Sequence, residues 1–194
     1  MQPPRESFEE LRQRLRQGRG LSDVGDDPVY YLVFQPKYIL EAKKLLKEWK
    51  AKLSIDGWTT EVMSMSDTIH DLFRSYLDRE DWLDSDENRS FDPESFEQLK
   101  DAQKWVLESG DALKNKIETR LKELSGREKT VLFITDVEAL HPYLRVGVLE
   151  QQLLGKITVP MVILYPGTRD GQTSLRFLGF YPPDGNYRSL HIGG

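Results

Sequence analysis

The sequence contains no cysteine. That absence excludes disulfides, thiolate metal sites, iron–sulfur clusters and a cysteine nucleophile. Long apolar runs are missing too. The longest, Val159 to Tyr165, is far shorter than the ~20 residues a membrane-spanning helix needs. Histidine is scarce: His70, His141 and His191 stand apart, with no H-x-x-x-H or H-E-x-x-H spacing for a metal. Positive charge is not in excess. The 27 Lys and Arg face 32 Asp and Glu, for a net charge of −5. Such a chain has no global electrostatic grip on nucleic acid or anionic lipid, so direct nucleic-acid binding is expected to be weak or absent. The first ten residues are polar and charged rather than an apolar leader, and the expectation is a cytoplasmic protein without a membrane segment. What is present is 194 residues, 38% hydrophobic and 30% charged. That suits one globular domain over residues 1–194 with a heavily charged surface.

The apolar spacing sets out the elements. Phe8, Leu11 and Leu15 predict an amphipathic helix over 5–17. Val29 to Phe34 is a near-continuous β-branched and aromatic run, the mark of a strand buried on both faces. Pro36 then opens a helix over 37–52, with Ile39, Ala42, Leu46 and Trp49 as its stripe. Five lysines and two glutamates between 41 and 52 mark its wet side. Trp58 to Met65 reads as a second strand, and Ser66 as the cap of a helix over 67–77. Segment 78–101 holds ten acids against three bases. It reads as an exposed acidic connection running into a helix that starts near Pro93, breaks near Gly110 and ends near Leu124. Thr130 to Asp136 is a buried strand ending in an acid. A helix is expected from Pro142 to Leu154, a strand from Ile157 to Tyr165, a turn at Pro166-Gly167 and a strand from Leu175 to Tyr181. A turn-rich tail runs from Pro182 to Gly194.

Strands alternating with helices give an α/β fold: a mainly parallel sheet flanked by helices, with an acidic helical insertion over 78–125. The eight residues from Pro166 to Thr173 are too few for a helical crossover, so the C-terminal strand is antiparallel to its neighbour.

Familiar catalytic patterns are missing. The acid-ended strand before Asp136 resembles the magnesium-orienting strand of P-loop ATPases, but no G-x-x-x-x-G-K-[ST] loop accompanies it. No G-x-S-x-G elbow and no G-x-G-x-x-G turn occur. No catalytic, cofactor-binding or metal residue is therefore assigned. An enzymatic alternative, nucleotide- or metal-dependent phosphoryl transfer, would use Asp136 and His141. The commoner roles are a carboxylate that caps a turn or pairs with a neighbour and a surface or capping histidine. A nucleic-acid-binding alternative would use the lysines of 37–52. A solvated helix face is the simpler reading, with Glu41 and Glu48 interspersed.

One region stands out. His141-Pro142-Tyr143-Leu144-Arg145 follows the acid-ended strand, and Tyr165-Pro166-Gly167 ends the next. In a parallel sheet both lie at the carboxyl ends of neighbouring strands, where open α/β folds place binding crevices. Arg145, in the first turn of its expected helix, would face the positive end of the dipole and call for an anion, with Asp136 or Asp184 the nearest in the sequence. Arg145, Tyr165, Asn186, Tyr187 and Arg188 are expected to converge on one partner-binding surface.

The ordered set Phe133-Ile134-Thr135-Asp136, Pro142-Tyr143-Leu144-Arg145, Val159 to Gly167 and Asn186-Tyr187-Arg188 resembles the BrxB family. BrxB proteins are small components of bacterial BREX phage-defence systems. The resemblance implies a non-catalytic assembly or adaptor subunit. Its implied partners are a PglZ-like protein of the alkaline-phosphatase superfamily and other BREX components. It supplies no catalytic residues and no cofactor.

Overall fold

The computed structural model describes residues 3–18, 27–76, 93–171, 174–183 and 189–194. Among them the helices are α1 (Pro4–Gln17), α2 (Ile39–Ile55), α3 (Met65–Ser75), α4 (Pro93–Glu108), α5 (Ala112–Leu124) and α6 (Val146–Gln152). The strands are β1 (Val29–Phe34), β2 (Thr59–Ser64), β3 (Thr130–Thr135), β4 (Met161–Asp170), β5 (Ser174–Phe177) and β6 (Leu190–Gly193). The sheet order is β2-β3-β4-β1-β6, all parallel, and β5 pairs antiparallel with the far half of β4. The mainly parallel sheet and the antiparallel β5 match the sequence reading.

Period-two alternation divides the central strands between two cores. Tyr31 and Val33 of β1, Leu132 and Ile134 of β3, and Ile163 and Tyr165 of β4 point toward α3, α4, α5 and α6. Leu32 and Phe34, Val131 and Phe133, and Val162 and Leu164 point toward α1 and α2. Both faces are covered, which is why these strands read as unbroken apolar runs. On the α1–α2 face, Phe8 stacks on Trp49 with ring centroids 4.8 Å apart. On the other, Leu113, Ile117, Leu121 and Leu124 of α5 are buried. The break between α4 and α5 falls at Gly110, whose φ of 58° is left-handed, as the Ser109-Gly110-Asp111 signal suggested.

Four expectations need correction. The cap of α3 is Ser64, not Ser66: its hydroxyl accepts from the Asp67 amide at 3.2 Å. Burial of Met65 sets that start, because it turns the first helical residue into the core. The helix expected from Pro142 begins only at Val146. Asp136 takes a left-handed conformation, Val137–Leu140 form a 3-10 turn that buries Val137 and Leu140, and residues 141–145 cross to the helix with a cis His141–Pro142 peptide. Arg145 is thus the capping residue in extended backbone (φ −89°, ψ 140°) rather than part of the first turn.

Pro166-Gly167 is not a turn: β4 runs through it to Asp170. A Cβ on Gly167 would lie 2.4 Å from the Arg176 carbonyl and 2.6 Å from the Tyr165 ring. The glycine serves the close approach of β5 rather than a chain reversal. Finally, the tail holds a strand. Leu190–Gly193 adds β6 beside β1, and Gly193 leaves the room that the buried Ser7 of α1 occupies. The acidic stretch up to Asp92 lies outside the described residues.

Candidate functional site

The elements leave a cavity of about 380 Å³ at the carboxyl ends of β3 and β4, roofed by α4. That volume falls in the range of pockets that take ligands or side chains. Its floor is Tyr165 of β4, 1% exposed, whose ring meets Tyr31 edge-on at 5.5 Å. Phe177 of β5 tilts against Tyr165 at 5.3 Å. The chain leaving β5 brings Tyr181 back over His141: the rings stand 4.1 Å apart, and the tyrosine hydroxyl is hydrogen-bonded to Nε2 of the imidazole. Tyr143 closes another side. Its hydroxyl donates to Gln103 Oε1 of α4 at 2.6 Å, and Phe73 of α3 meets its ring at 6.2 Å. Five rings therefore line one hollow, in the tilted and edge-on arrangements that aromatic groups favour.

Burial governs the titratable groups here. It lowers the His141 pKa, so the imidazole is neutral at neutral pH, and it raises the Tyr143 phenol. Beneath the floor, Glu150 of α6 is 6% exposed and accepts from the Tyr31 hydroxyl at 2.7 Å. Burial raises its pKa, and the charge of Asp27 adds to the rise. His191 of β6 packs its ring against the other side of Tyr31 at 5.5 Å. Burial, helped by the charge of Arg169, lowers its pKa to about 4.

Two cations sit at the mouth. Lys104 of α4 has Glu108 one turn away at 4.0 Å. Arg145 is exposed, and among the described residues no carboxylate stands within ion-pair distance of it. Asp136, one expected counter-ion, is already committed: its carboxylate lies 2.6 Å from Lys43 Nζ and accepts from the Thr135 hydroxyl at 2.7 Å. Burial opposes its ionisation, but those hydrogen bonds outweigh the burial and hold its pKa below the ordinary value. Asp184 lies outside the described residues.

Of the five residues expected to converge, Arg145 and Tyr165 do line the same cavity. Asn186, Tyr187 and Arg188 lie outside the described residues. Asp136 does not line the cavity that His141 lines, so the composite site proposed for those two is not assembled there. Lysines of α2 are partly spoken for: Lys43 bridges Asp136 and Glu138, and Lys52 bridges Glu9 and Glu48. Sequence reasoning missed Lys104, Phe177 and Tyr181. The cluster Phe177-x-x-Phe180-Tyr181 at a strand end was the available signal for two of them.

Fold and site together define an α/β protein with an aromatic, cation-rimmed crevice at the ends of its parallel strands. The family profile described as BREX protein BrxB matches residues 65–192, and the chain belongs to the BrxB family, a component of BREX phage-defence systems. The matched region starts at the first residue of α3 and contains every residue lining the cavity. No curated protein and no solved structure matches the chain. Among the described residues, no helix is long and apolar enough to cross a membrane, and no group of three or more His, Asp or Glu is placed to hold a metal ion.

Proposed function

We propose that this chain is a non-catalytic assembly subunit of a cytoplasmic BREX complex, docking a PglZ-like partner on the crevice face. The observation that carries the reading is Arg145: an exposed guanidinium lining an aromatic hollow, with no carboxylate within ion-pair distance among the described residues. Arginine and aromatic side chains are the groups that dominate protein interfaces. An exposed cation that the described residues leave unmatched is open to an anionic group of another molecule. Val148 of the same cavity is 41% exposed, and Phe180, against Tyr181 of its wall, is 67% exposed, apolar groups a docked protein would cover.

The test is Arg145→Ala with two readouts. Partner affinity should fall at least tenfold, which is about 1.4 kcal/mol. The melting temperature should stay within about 2 °C, because an exposed, unpaired side chain contributes little to stability. Undiminished binding would move the partner off this face. A collapse in melting temperature would make Arg145 structural.

A further inference from the structure

We infer that the crevice receives an anchor side chain from a polypeptide: an aromatic or large aliphatic residue flanked by carboxylates. The inference rests on the docking reading above and adds what the partner must present there. The cavity walls are rings, so its interior rewards an apolar, ring-sized group rather than a polar one. Two of the hydroxyls on the walls are engaged already, Tyr143 with Gln103 and Tyr181 with His141. The neutral imidazole brings no charge inside. Among the described lining residues the charges are Arg145, Lys104 and Glu108, an excess of one positive charge on a chain of net charge −5. An acidic flank is attracted to that point and repelled by the molecule as a whole, which fixes the register of docking.

A free aromatic anion would also satisfy the rings and the cations. It would leave Phe180 in water, since Phe180 is 67% exposed, tilts against Tyr181 at 4.4 Å and is not among the residues that line the cavity. A polypeptide fills the cavity and covers that rim together, in the arrangement of a buried anchor ringed by contacts that exclude water. The apolar rim therefore decides for a polypeptide.

The experiment places the photoreactive residue p-benzoylphenylalanine at Val148, at Phe180 and, as a control, at Leu40, which is 72% exposed on α2 across the sheet. Each full-length variant is co-expressed with the PglZ-like protein and the other components of its BREX system, irradiated, and its cross-links mapped by mass spectrometry. Cross-links from 148 and 180 but not from 40 are expected. The captured segment should carry Phe, Tyr, Trp, Leu or Met within three residues of Asp or Glu. Arg145→Glu should cut the yield at least tenfold, and Arg145→Lys should retain most of it. A captured segment without such an anchor, or with a basic flank, overturns the inference and leaves the docking reading standing. Cross-links from 40 alone, or none at all, overturn both. Native mass spectrometry of the purified chain showing a small aromatic anion that Arg145→Glu releases assigns the cavity to a free ligand and overturns the inference as well.

Discussion

The α1–α2 surface and the crevice treat charge in opposite ways. On the α1–α2 face, ionisable groups are shifted toward their charged forms. Arg12 donates to Asp56 at 2.5 and 2.9 Å, Arg16 adds a bond of 2.5 Å, and together they hold the Asp56 carboxyl well below the usual carboxylate range. Lys52 lies 2.7 Å from Glu9 and lowers its pKa, and Arg5 binds Glu48 through both carboxylate oxygens. In and beneath the crevice, burial shifts groups toward their neutral forms: His141 and His191 downward, Tyr143 and Glu150 upward. On α1 and α2, these pairs are closed within the chain. The crevice keeps charge out of its interior and, among the described residues, leaves Arg145 without a carboxylate in ion-pair distance at its edge. A surface that is complete in itself has little to gain from a partner, whereas one that buries rings beneath an unpaired cation gains both contacts and charge neutralisation on docking.

The largest expected effect breaks the closed face. Trp49 is 1% exposed and stacked on Phe8. Trp49→Ala should destabilise the fold by about 3–5 kcal/mol, the range for deleting a large buried aromatic. Denaturant titration measures it. A loss below about 1 kcal/mol would mean that this face is not the tightly packed one.

Next comes acid sensitivity on the crevice face. His191 has a folded-state pKa of about 4 against an ordinary value of 6.5. The unfolded chain therefore binds the proton more readily, so stability is full above pH 6.5 and falls as pH drops toward 4. At about 1.4 kcal/mol per unit, the loss reaches roughly 3 kcal/mol. His191→Phe should flatten the stability profile between those values. Asp56 acts in a lower window: with its pKa depressed, its contribution starts to fade only below the usual carboxylate range. An unchanged slope in His191→Phe would show that the imidazole is hydrated in the folded state.

The third effect tests how the crevice is built. Gly167→Ala forces a methyl against the Arg176 carbonyl and the Tyr165 ring. It should destabilise by about 1–3 kcal/mol, as overpacking does. It should also weaken partner capture, because β5 carries Phe177 into the cavity wall. Intact capture in a destabilised variant would separate β5 from the docking surface.

How much of this was legible in the sequence follows from where each requirement originates. Val29 to Phe34 and Thr130 to Thr135 were readable because burial on both faces writes itself as an unbroken apolar run. The Gly110 break was readable because a left-handed residue is a local need. Pro166-Gly167 misled because the reason for its glycine is tertiary: the backbone of β5 passes where a side chain would sit. β6 was unreadable because four residues with a single large buried aliphatic, Ile192, become a strand only beside β1. Arg145 and Tyr165 were brought together correctly by the strand-end rule. Lys104 escaped because it arrives from the crossover between β2 and β3, and no local pattern says where a helix will roof a neighbouring loop. Of the two counter-ions expected for Arg145, Asp136 is taken by Lys43 of α2.

The smallest effect sharpens the comparison at Glu150. This carboxyl sits beneath the crevice floor and accepts from the Tyr31 hydroxyl. Burial makes its folded-state pKa higher than its unfolded one. The folded chain then holds the proton more tightly, so stability declines as pH rises from the ordinary glutamate value to the raised one, and is level beyond it. Glu150→Gln keeps an oxygen for the Tyr31 hydroxyl and removes the ionisation. Melting curves of variant and parent should run parallel at low pH, and the variant should gain as pH rises, by about 2 °C at pH 7, a shift that corresponds to about 0.5–1 kcal/mol in a chain of this size. The sign carries the meaning. A variant that melts lower at pH 7 but not at pH 4 would show that Glu150 is stabilised as an anion, and the crevice face would then answer its charges internally, as the α1–α2 face does.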